Sequence, residues 1–263
     1  MAWVRRHLLT AAAMVTLFIL LLPNVVVALF AFNKPNGRYN YQWVRFSTDA
    51  WANPCGTPGI CDSLGLSLRI GVTASLVATL LGTMVAFALG RFRFRGRATT
   101  NLLIFMPMAT PEVVMGSSLL TLFVAMGLST GALAILIAHI MFCVSFVVVA
   151  VKARVASLDP RLEEAAADLG ATPLATFIKV TLPLVAPGIA AGALLAFSLS
   201  FDDYIITNFN ASPSSITFPM YVWGAAQRGT PVQINVVGTV MFVLSVGIVL
   251  TAQLISRSRT KKA

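Results

Sequence analysis

Residues 158–184 read LDPRLEEAAADLGATPLATFIKVTLPL, and they combine charges, helix caps and helical periodicity within a mostly apolar chain. Asp159 stands before Pro160, so its carboxylate can cap a helix whose first residue is proline. Gly170 follows the last periodic residue and can take the left-handed conformation that ends many helices. The first half of the stretch therefore predicts one short helix with defined ends.

The second half repeats the pattern, since Thr172 and Pro173 can begin another helix that Pro183 stops or kinks. Both helices carry apolar residues at helical spacing: Leu162, Ala165, Ala166 and Leu169, then Leu174, Phe177, Ile178 and Leu182. Three acids within six residues argue against a helix that rests on anionic lipid. We expect a pair of helices that fits a groove on a partner protein.

The chain around this stretch has the composition of an integral membrane protein. Of its 263 residues, 57% are hydrophobic and 11% are charged, whereas a soluble domain carries about 25% charged residues. The net charge is +10, but the basic residues cluster between apolar runs, so membrane topology explains them better than nucleic acid does. We therefore expect a lipid bilayer, and no nucleic acid, among the partners.

Six apolar segments are long enough, or nearly so, to cross a bilayer core of about 30 Å as helices. They are residues 8–32, 66–90, 100–126, 131–151, 187–209 and 235–256. The first exceeds the apolar core of a signal peptide, about 7–15 residues, so we expect it to remain as a span. The predicted fold class is an all-α membrane protein with six transmembrane helices in a single domain, residues 1–263.

Lysine and arginine predict the orientation, because they favour the cytoplasmic side. With the N-terminus in the cytoplasm, the inner segments hold RFRFRGR at 91–97, the basic residues of 152–186 and RSRTKK at 257–262. The outer loops, residues 33–65 and 210–234, hold few basic residues, and the second is expected to contain a short helix near 220–227. Both termini are thus predicted to be cytoplasmic.

The three cysteines do not form a cluster with metal-ligand spacing, and no metal site is expected. Cys143 lies in an apolar run and is expected to be a buried, small side chain. Cys55 and Cys61 flank GTPGI in the first outer loop. The sequence leaves open whether these two form a disulfide or remain free thiols.

Three carboxylates lie within the predicted spans: Glu112 in the third, and Asp202 and Asp203 in the fifth. A charge near the bilayer centre costs roughly 2.5–3.5 kcal/mol, so these intramembrane acids are not expected to face lipid. They either line a path for a cationic substrate or pair with polar groups at a helix interface. Adjacent helical residues point about 100° apart, so the two aspartates face different directions, and we favour Asp203 for the path.

Other polar residues give weaker signals. His139, within the fourth span, is expected to be hydrogen-bonded in the interior. Tyr204 and Trp223 lie near the predicted outer interface, where aromatic belts are common, and they are also candidates to stack on an aliphatic substrate. No G-x-x-x-x-G-K-[ST] loop and no Ser/His/Asp arrangement is present, so we predict neither ATP binding nor catalysis by this chain.

The segment EAAADLGATPLATFIKVTLP, residues 164–183, resembles the EAA loop of binding-protein-dependent ABC transporter permeases. The family pattern is Glu-Ala-Ala, three residues, Gly, nine residues, an aliphatic residue, one residue and Leu-Pro. It is matched by Glu164, Ala165, Ala166, Gly170, Val180, Leu182 and Pro183, with Val180 where isoleucine is commoner. The resemblance implies a type I importer fold in which residues 152–186 form a cytoplasmic coupling loop that docks on an ATPase.

Further stretches resemble the second membrane subunit of spermidine/putrescine permeases: residues 108–120, 138–154, 198–209 and 217–239. This resemblance implies polyamine import across a bacterial inner membrane. The implied partners are an ATPase dimer that carries ATP and magnesium, a second permease and an outer substrate-binding protein. No cofactor is expected on this chain.

Two alternatives remain open. One is an ABC permease for another small solute, such as an iron complex, thiamine or a phosphonate. The other is an ion-coupled secondary carrier that uses the intramembrane acids as its ion site. The capped helices of residues 158–183 argue against a carrier, because a carrier has no ATPase to dock.

Overall fold

The computed structural model describes residues 2–260, with the side chains of residues 7–248, 250 and 251. Within this range the regular elements are helical, apart from an isolated bridge between Asn33 and Phe46. In chain order, the described α-helices are α1 (Ala2–Phe30), α2 (Asp49–Ala52), α3 (Ile60–Arg91), α4 (Arg97–Ala109), α5 (Glu112–Ala125), α6 (Ala132–Ala156), α7 (Arg161–Asp168), α8 (Pro173–Thr176), α9 (Leu182–Asp202), α10 (Ile205–Asn210), α11 (Phe218–Arg228) and α12 (Val232–Thr260). A π-helical segment, Phe177–Thr181, joins α8 to α9.

The apolar helices follow the order of the predicted spans. Among the described residues, four helical stretches are long and apolar enough to cross a bilayer: His7–Phe30, Ile60–Arg91, Ala132–Ala156 and Pro173–Asp202. The bent pair α4–α5 is apolar enough to count as a fifth crossing if it is taken as one span, and Val232–Ile248 of α12 is a shorter apolar stretch at the position of the sixth. The all-α fold class is therefore confirmed.

The prediction of a single helix over residues 100–126 is wrong. Two helices, α4 and α5, meet there at 108°. Thr110 at the bend is extended (φ −81°, ψ 131°), because the ring of Pro111 disfavours helical backbone in the residue before it. Glu112 consequently begins α5 instead of lying in the middle of a span.

The start of the fifth span also differs from the prediction. The helix that begins at Pro173 continues through the π-helical segment into α9, so Pro183 does not stop it. Proline lacks the N–H that would bond to an earlier carbonyl, and the wider π turn accommodates this loss. The predicted second helix of the coupling loop is therefore the first part of the fifth span.

The fifth span is broken near its other end, where one helix over 187–209 was expected. Asp203 is extended (φ −63°, ψ 127°), and α10 begins two residues later. The Asp203 carboxylate accepts hydrogen bonds from the backbone N–H groups of Ile206 (3.3 Å) and Thr207 (2.8 Å). It thereby satisfies N–H groups at the start of α10 that have no helical partner.

The chain forms two compact units, and the larger is Asp62–Met220. In this unit α6 supplies much of the buried apolar core, including Ala138, Val147 and Val151. A Cβ on Gly188 of α9 would lie 2.7 Å from the Arg154 Cβ, so a glycine permits this close approach of α9 to α6. The assignment of residues 1–263 to a single domain stays a prediction.

The other unit comprises the chain up to Cys61 and the chain from Tyr221 onward. Its long helices α1 and α12 pack on each other, and a disulfide joins Cys55, in the loop region between α1 and α3, to Cys61 at the start of α3. The Asn33 side chain organises that loop, because it donates to Asn40 Oδ1 and Gln42 O and accepts from Val44 N. The predicted short helix near 220–227 is confirmed as α11.

Candidate functional site

The short helix α7 of the coupling loop has the predicted ends. Asp159 Oδ1 accepts a hydrogen bond from Arg161 N at 3.0 Å. At the other end Gly170 has φ +83°, and two backbone bonds, Gly170 N to Ala167 O and Ala171 N to Ala166 O, close a Schellman motif. Both ends of α7 are thus fixed by local hydrogen bonds.

The second arm of the coupling loop is continuous with the fifth predicted span. Thr172 Oγ1 accepts from Ala175 N at 3.3 Å, which caps α8 as predicted. From Pro173 the helix runs without interruption to Asp202. A displacement applied to α8 therefore moves the fifth span directly.

The solvent-exposed face of the coupling loop is apolar. The exposed fraction is 47% for Leu162, 90% for Leu169, 69% for Leu174 and 52% for Ile178. Leucine side chains this exposed on short, capped helices are typical of a surface that another protein covers.

The residues that match the EAA pattern divide by exposure. Four of them are exposed: Glu164, Ala165, Gly170 and Pro183. The others are half-buried: Ala166, Val180 and Leu182. The exposed glutamate lies on the same short helix as Leu162, so a partner on this face can meet both apolar and charged groups.

An ion pair at the inner side of the loop was not predicted. Glu163 Oε1 accepts hydrogen bonds from Arg91 Nη2 at 2.7 Å and from Thr181 Oγ1 at 2.7 Å. Arg91 and Glu163 are 72 residues apart, and each charge has a local explanation in topology or in helix capping. No local sequence signal therefore links them.

A large cavity lies beside this ion pair. It has a volume of about 1170 Å³, and residues of α3, the coupling loop and α9 line it. Its walls include Leu80, Met84, Phe87 and Ile189, so they are mainly apolar. In this region α3 and the fifth span are held apart instead of being closely packed.

The intramembrane acids come together in the larger unit but differ in their surroundings. Asp202 and Glu112 are exposed, and Asp202 lies close enough to Glu112 and Asp203 to interact electrostatically with both. The Asp203 side chain is 5% exposed, and its Oδ2 accepts from Thr207 Oγ1 at 2.7 Å. Asp203 is thus occupied within the protein, whereas Asp202 and Glu112 are accessible to a ligand.

His139 is buried, as predicted for an interior histidine. Its Nδ1 lies 2.7 Å from Ser200 Oγ, and its Nε2 lies 3.0 Å from Thr207 Oγ1 and 3.3 Å from Asp203 Oδ2. This network holds the break between α9 and α10 against α6. These contacts give each buried polar side chain of the network a partner within the protein, so the network does not require a substrate.

The two aromatic candidates belong to different units. Tyr204 is half-buried at the break between α9 and α10, next to the aspartates. Trp223 is on α11, and its exposed fraction is 56%. Their role at a substrate pathway stays a prediction.

Comparison with known proteins gives the family. Residues 78–260 match the family described as binding-protein-dependent transport system inner membrane component. The spermidine/putrescine transport system permease protein PotC of Escherichia coli (strain K12) is 36% identical over 242 residues, covering 92% of this chain and 91% of that protein. The putrescine transport system permease protein PotI of the same strain is 38% identical over 234 residues, covering 86% of this chain and 82% of that protein.

Solved structures agree on the fold. A bacterial alginate ABC transporter, crystallised with an alginate pentasaccharide-bound periplasmic protein, has a chain with TM-score 0.69 and 17% identity, covering 98% of this chain and 97% of that chain. A chain of the inward-facing MetNI methionine ABC transporter has TM-score 0.59 and 16% identity, and the match covers 76% of this chain and 95% of that chain. The fold is that of type I ABC importer permeases. The chain therefore belongs to the family of binding-protein-dependent transport system inner membrane components, as its EAA loop indicated.

Proposed function

We propose that this chain is the membrane-spanning permease subunit of an ATP-driven importer that passes polyamines, spermidine or putrescine, into the cytoplasm. The observation that carries the proposal is 36% identity, over 92% of the chain, to a permease named for spermidine and putrescine. The relative named for putrescine supports the same class of substrate. Small cations with several positive charges are consistent with the exposed Glu112 and Asp202.

The coupling loop provides the connection to ATP hydrolysis. Its exposed Leu162, Leu169 and Leu174 suit a groove on a cytoplasmic ATPase dimer, which carries the ATP and magnesium. Glu164 is exposed beside them and makes a charge-assisted contact with that partner. This chain supplies the mechanical link and performs no chemistry on the nucleotide.

The substrate pathway is completed by a second, homologous permease. No residue in the most apolar stretch of the helix His7–Phe30 is buried, which is consistent with a span that faces lipid and a partner permease. A substrate-binding protein delivers the polyamine to the outer loops, 33–65 and 210–234. Tyr204, next to the aspartates, stacks on an aliphatic part of the substrate.

The orientation follows from charge and from the cysteines. The disulfide between Cys55 and Cys61 suits an oxidising compartment, so the first outer loop faces the outside of a bacterial inner membrane. The basic runs at 91–97 and 257–262 then face the cytoplasm, as do both termini.

Reconstituted transport tests the proposal. Proteoliposomes would hold this chain with its partner ATPase and second permease, and the binding protein would be added outside. We expect uptake of labelled spermidine or putrescine that requires ATP and the binding protein and persists when proton and sodium gradients are collapsed. The matched control is the same assembly with an ATPase unable to hydrolyse ATP.

Two results would contradict the proposal. Uptake that follows an ion gradient without the ATPase would indicate a secondary carrier. Uptake of an iron complex, thiamine or a phosphonate, without uptake of polyamines, would retain the importer but assign another substrate.

A further inference from the structure

One carboxylate in the coupling loop joins two membrane spans. The same oxygen of Glu163, Oε1, accepts from Arg91 and from Thr181, each at 2.7 Å. Arg91 is the last residue of α3, and Thr181 is the last residue of the π-helical segment that leads into α9. These three residues, which we call the polar joint, hold α7 to the second and fifth spans at once.

The polar joint faces the interior of the chain. The Glu163 side chain is 32% exposed, the Arg91 side chain is 22% exposed, and Thr181 is buried. The next residue, Glu164, is exposed. The two adjacent glutamates therefore have different surroundings: Glu164 is accessible to a docking partner, whereas Glu163 is engaged within the chain.

The charges of the joint also suit the helix ends that carry them. Arg91 lies in the last turn of α3, where a positive charge interacts favourably with the helix dipole. Glu163 lies in the first turn of α7, where a negative charge does so. Because the pair is partly buried and hydrogen-bonded, it is a firmer connection than an ion pair on an open surface.

Few other contacts connect α3 to the start of the fifth span. The 1170 Å³ cavity separates them, and Arg91, Glu163 and Thr181 are part of its lining. An edge-to-face contact between Phe87 and Phe177, with ring centroids 5.3 Å apart, also crosses this region. Closely packed helices transmit a displacement along their whole interface, whereas here the displacement passes through a few side chains.

We propose that Glu163 is a positioning residue that transmits movement of the coupling loop to α3. The fifth span moves with the loop in any case, because Pro173–Asp202 is one continuous helix. The second span lacks this continuity, so its movement depends on the polar joint. This inference rests on the proposed docking of an ATPase on the coupling loop.

The test compares Glu163→Ala with Glu164→Ala in the complete reconstituted transporter. We expect the Glu163→Ala complex to bind its ATPase in normal yield and to hydrolyse ATP. Its import of polyamine per ATP should fall by about fivefold or more, the scale of coupling between distant sites. Glu164→Ala, the matched control, should instead weaken ATPase binding and lower hydrolysis and import together.

A double-mutant cycle isolates the contact itself. Arg91→Gln should cause the same loss of import per ATP as Glu163→Ala, and the two changes together should be no worse than either, because both remove the ion pair that connects α7 to α3. Reversal of the pair, with Arg91→Glu and Glu163→Arg combined, should recover import per ATP. A residue that only stabilised the fold would change the yield of the complex and not this ratio.

The outcomes separate this inference from the proposed function. If the Glu163→Ala complex imports as much polyamine per ATP as the unchanged complex, the inference is overturned while the docking stands. If Glu163→Ala prevents assembly and the reversed pair restores neither assembly nor coupling, the joint serves stability alone and the inference is also overturned. If the unchanged chain binds no ATPase, the proposed function fails and this inference fails with it.

Discussion

At the scale of single residues, the neighbouring aspartates of the fifth span have separate tasks. The Asp203 carboxylate accepts from the N–H and the hydroxyl of Thr207 and lies beside His139, so it stabilises the helix break. Asp202 is exposed and interacts electrostatically with Glu112. We therefore propose that Asp202 contacts the cationic substrate, although the sequence analysis preferred Asp203.

Replacement of each aspartate by asparagine tests this assignment. Asp202→Asn should raise the KM for spermidine import by about tenfold, equivalent to about 1.4 kcal/mol of lost binding. Asp203→Asn should instead lower stability by about 1–3 kcal/mol, because it weakens buried hydrogen bonds, while the folded fraction keeps its KM. Import kinetics and thermal unfolding of the purified complex measure the two effects, and the reverse pattern would contradict the assignment.

The sequence located these acids, but its preference for Asp203 rested on no observed contact. A helical projection separates Asp202 from Asp203 by about 100° without indicating which one faces a ligand. The distinction arises from the break at Asp203, and that break is held by His139 on another helix. A contact between residues so far apart in the chain leaves no local pattern.

At the scale of elements, the coupling loop is a short helix connected to a continuous span by residues 169–172, which turn at Gly170. Gly170 has φ +83°, and a Cβ at this position would meet nothing within 4 Å. The requirement for glycine is therefore conformational and not steric. The backbone turn here determines how α7 is presented to a partner.

Gly170→Ala should lower stability by about 1–2 kcal/mol, because an L-residue is strained in the left-handed region. It should also weaken ATPase binding, since α7 changes direction. Gly65→Ala is the matched control: Gly65 lies within α3, also with nothing within 4 Å, but without a positive φ. Thermal unfolding and co-purification should show a loss for Gly170→Ala alone, and equal effects of the two changes would contradict a conformational role.

Local elements were predicted well where hydrogen bonds within a few residues determine them. The caps at Asp159, Gly170 and Thr172 belong to this group. The prolines were less predictable, because neighbouring helices in a membrane can satisfy the carbonyls that a proline leaves unpaired. Pro111 accordingly bends its span by 108°, whereas Pro183 is accommodated by a π turn.

At the scale of the whole molecule, function depends on surfaces that the isolated chain leaves open. The larger unit carries the coupling loop and the intramembrane acids, and the unit built from the chain ends carries the first outer loop with its disulfide. The order of the apolar helices along the chain was predictable, because hydrophobicity locates them. The polar joint was not, because it forms between distant segments.

The disulfide should stabilise the first outer loop. Cys55 and Cys61 are six residues apart, and the loss of a cross-link over so short a loop should cost about 2 kcal/mol. Reduction should therefore speed hydrogen exchange in residues 33–61. The control is the chain with both cysteines changed to serine, which should exchange fast with or without reductant. Equal protection in all samples would contradict a stabilising disulfide.

Site-specific cross-linking shows whether an ATPase docks on the coupling loop. Leu169 is 90% exposed, Cys143 is buried, and Cys55 and Cys61 are bonded to each other, so Leu169→Cys introduces an accessible thiol. Leu133→Cys, at the far end of α6 and also exposed, is the control. In membranes that contain the whole transporter, we predict a cross-link from position 169, and not from position 133, to the ATPase subunit. A thiol at position 169 that reacts with small reagents but never cross-links to the ATPase would contradict docking of the ATPase on the coupling loop.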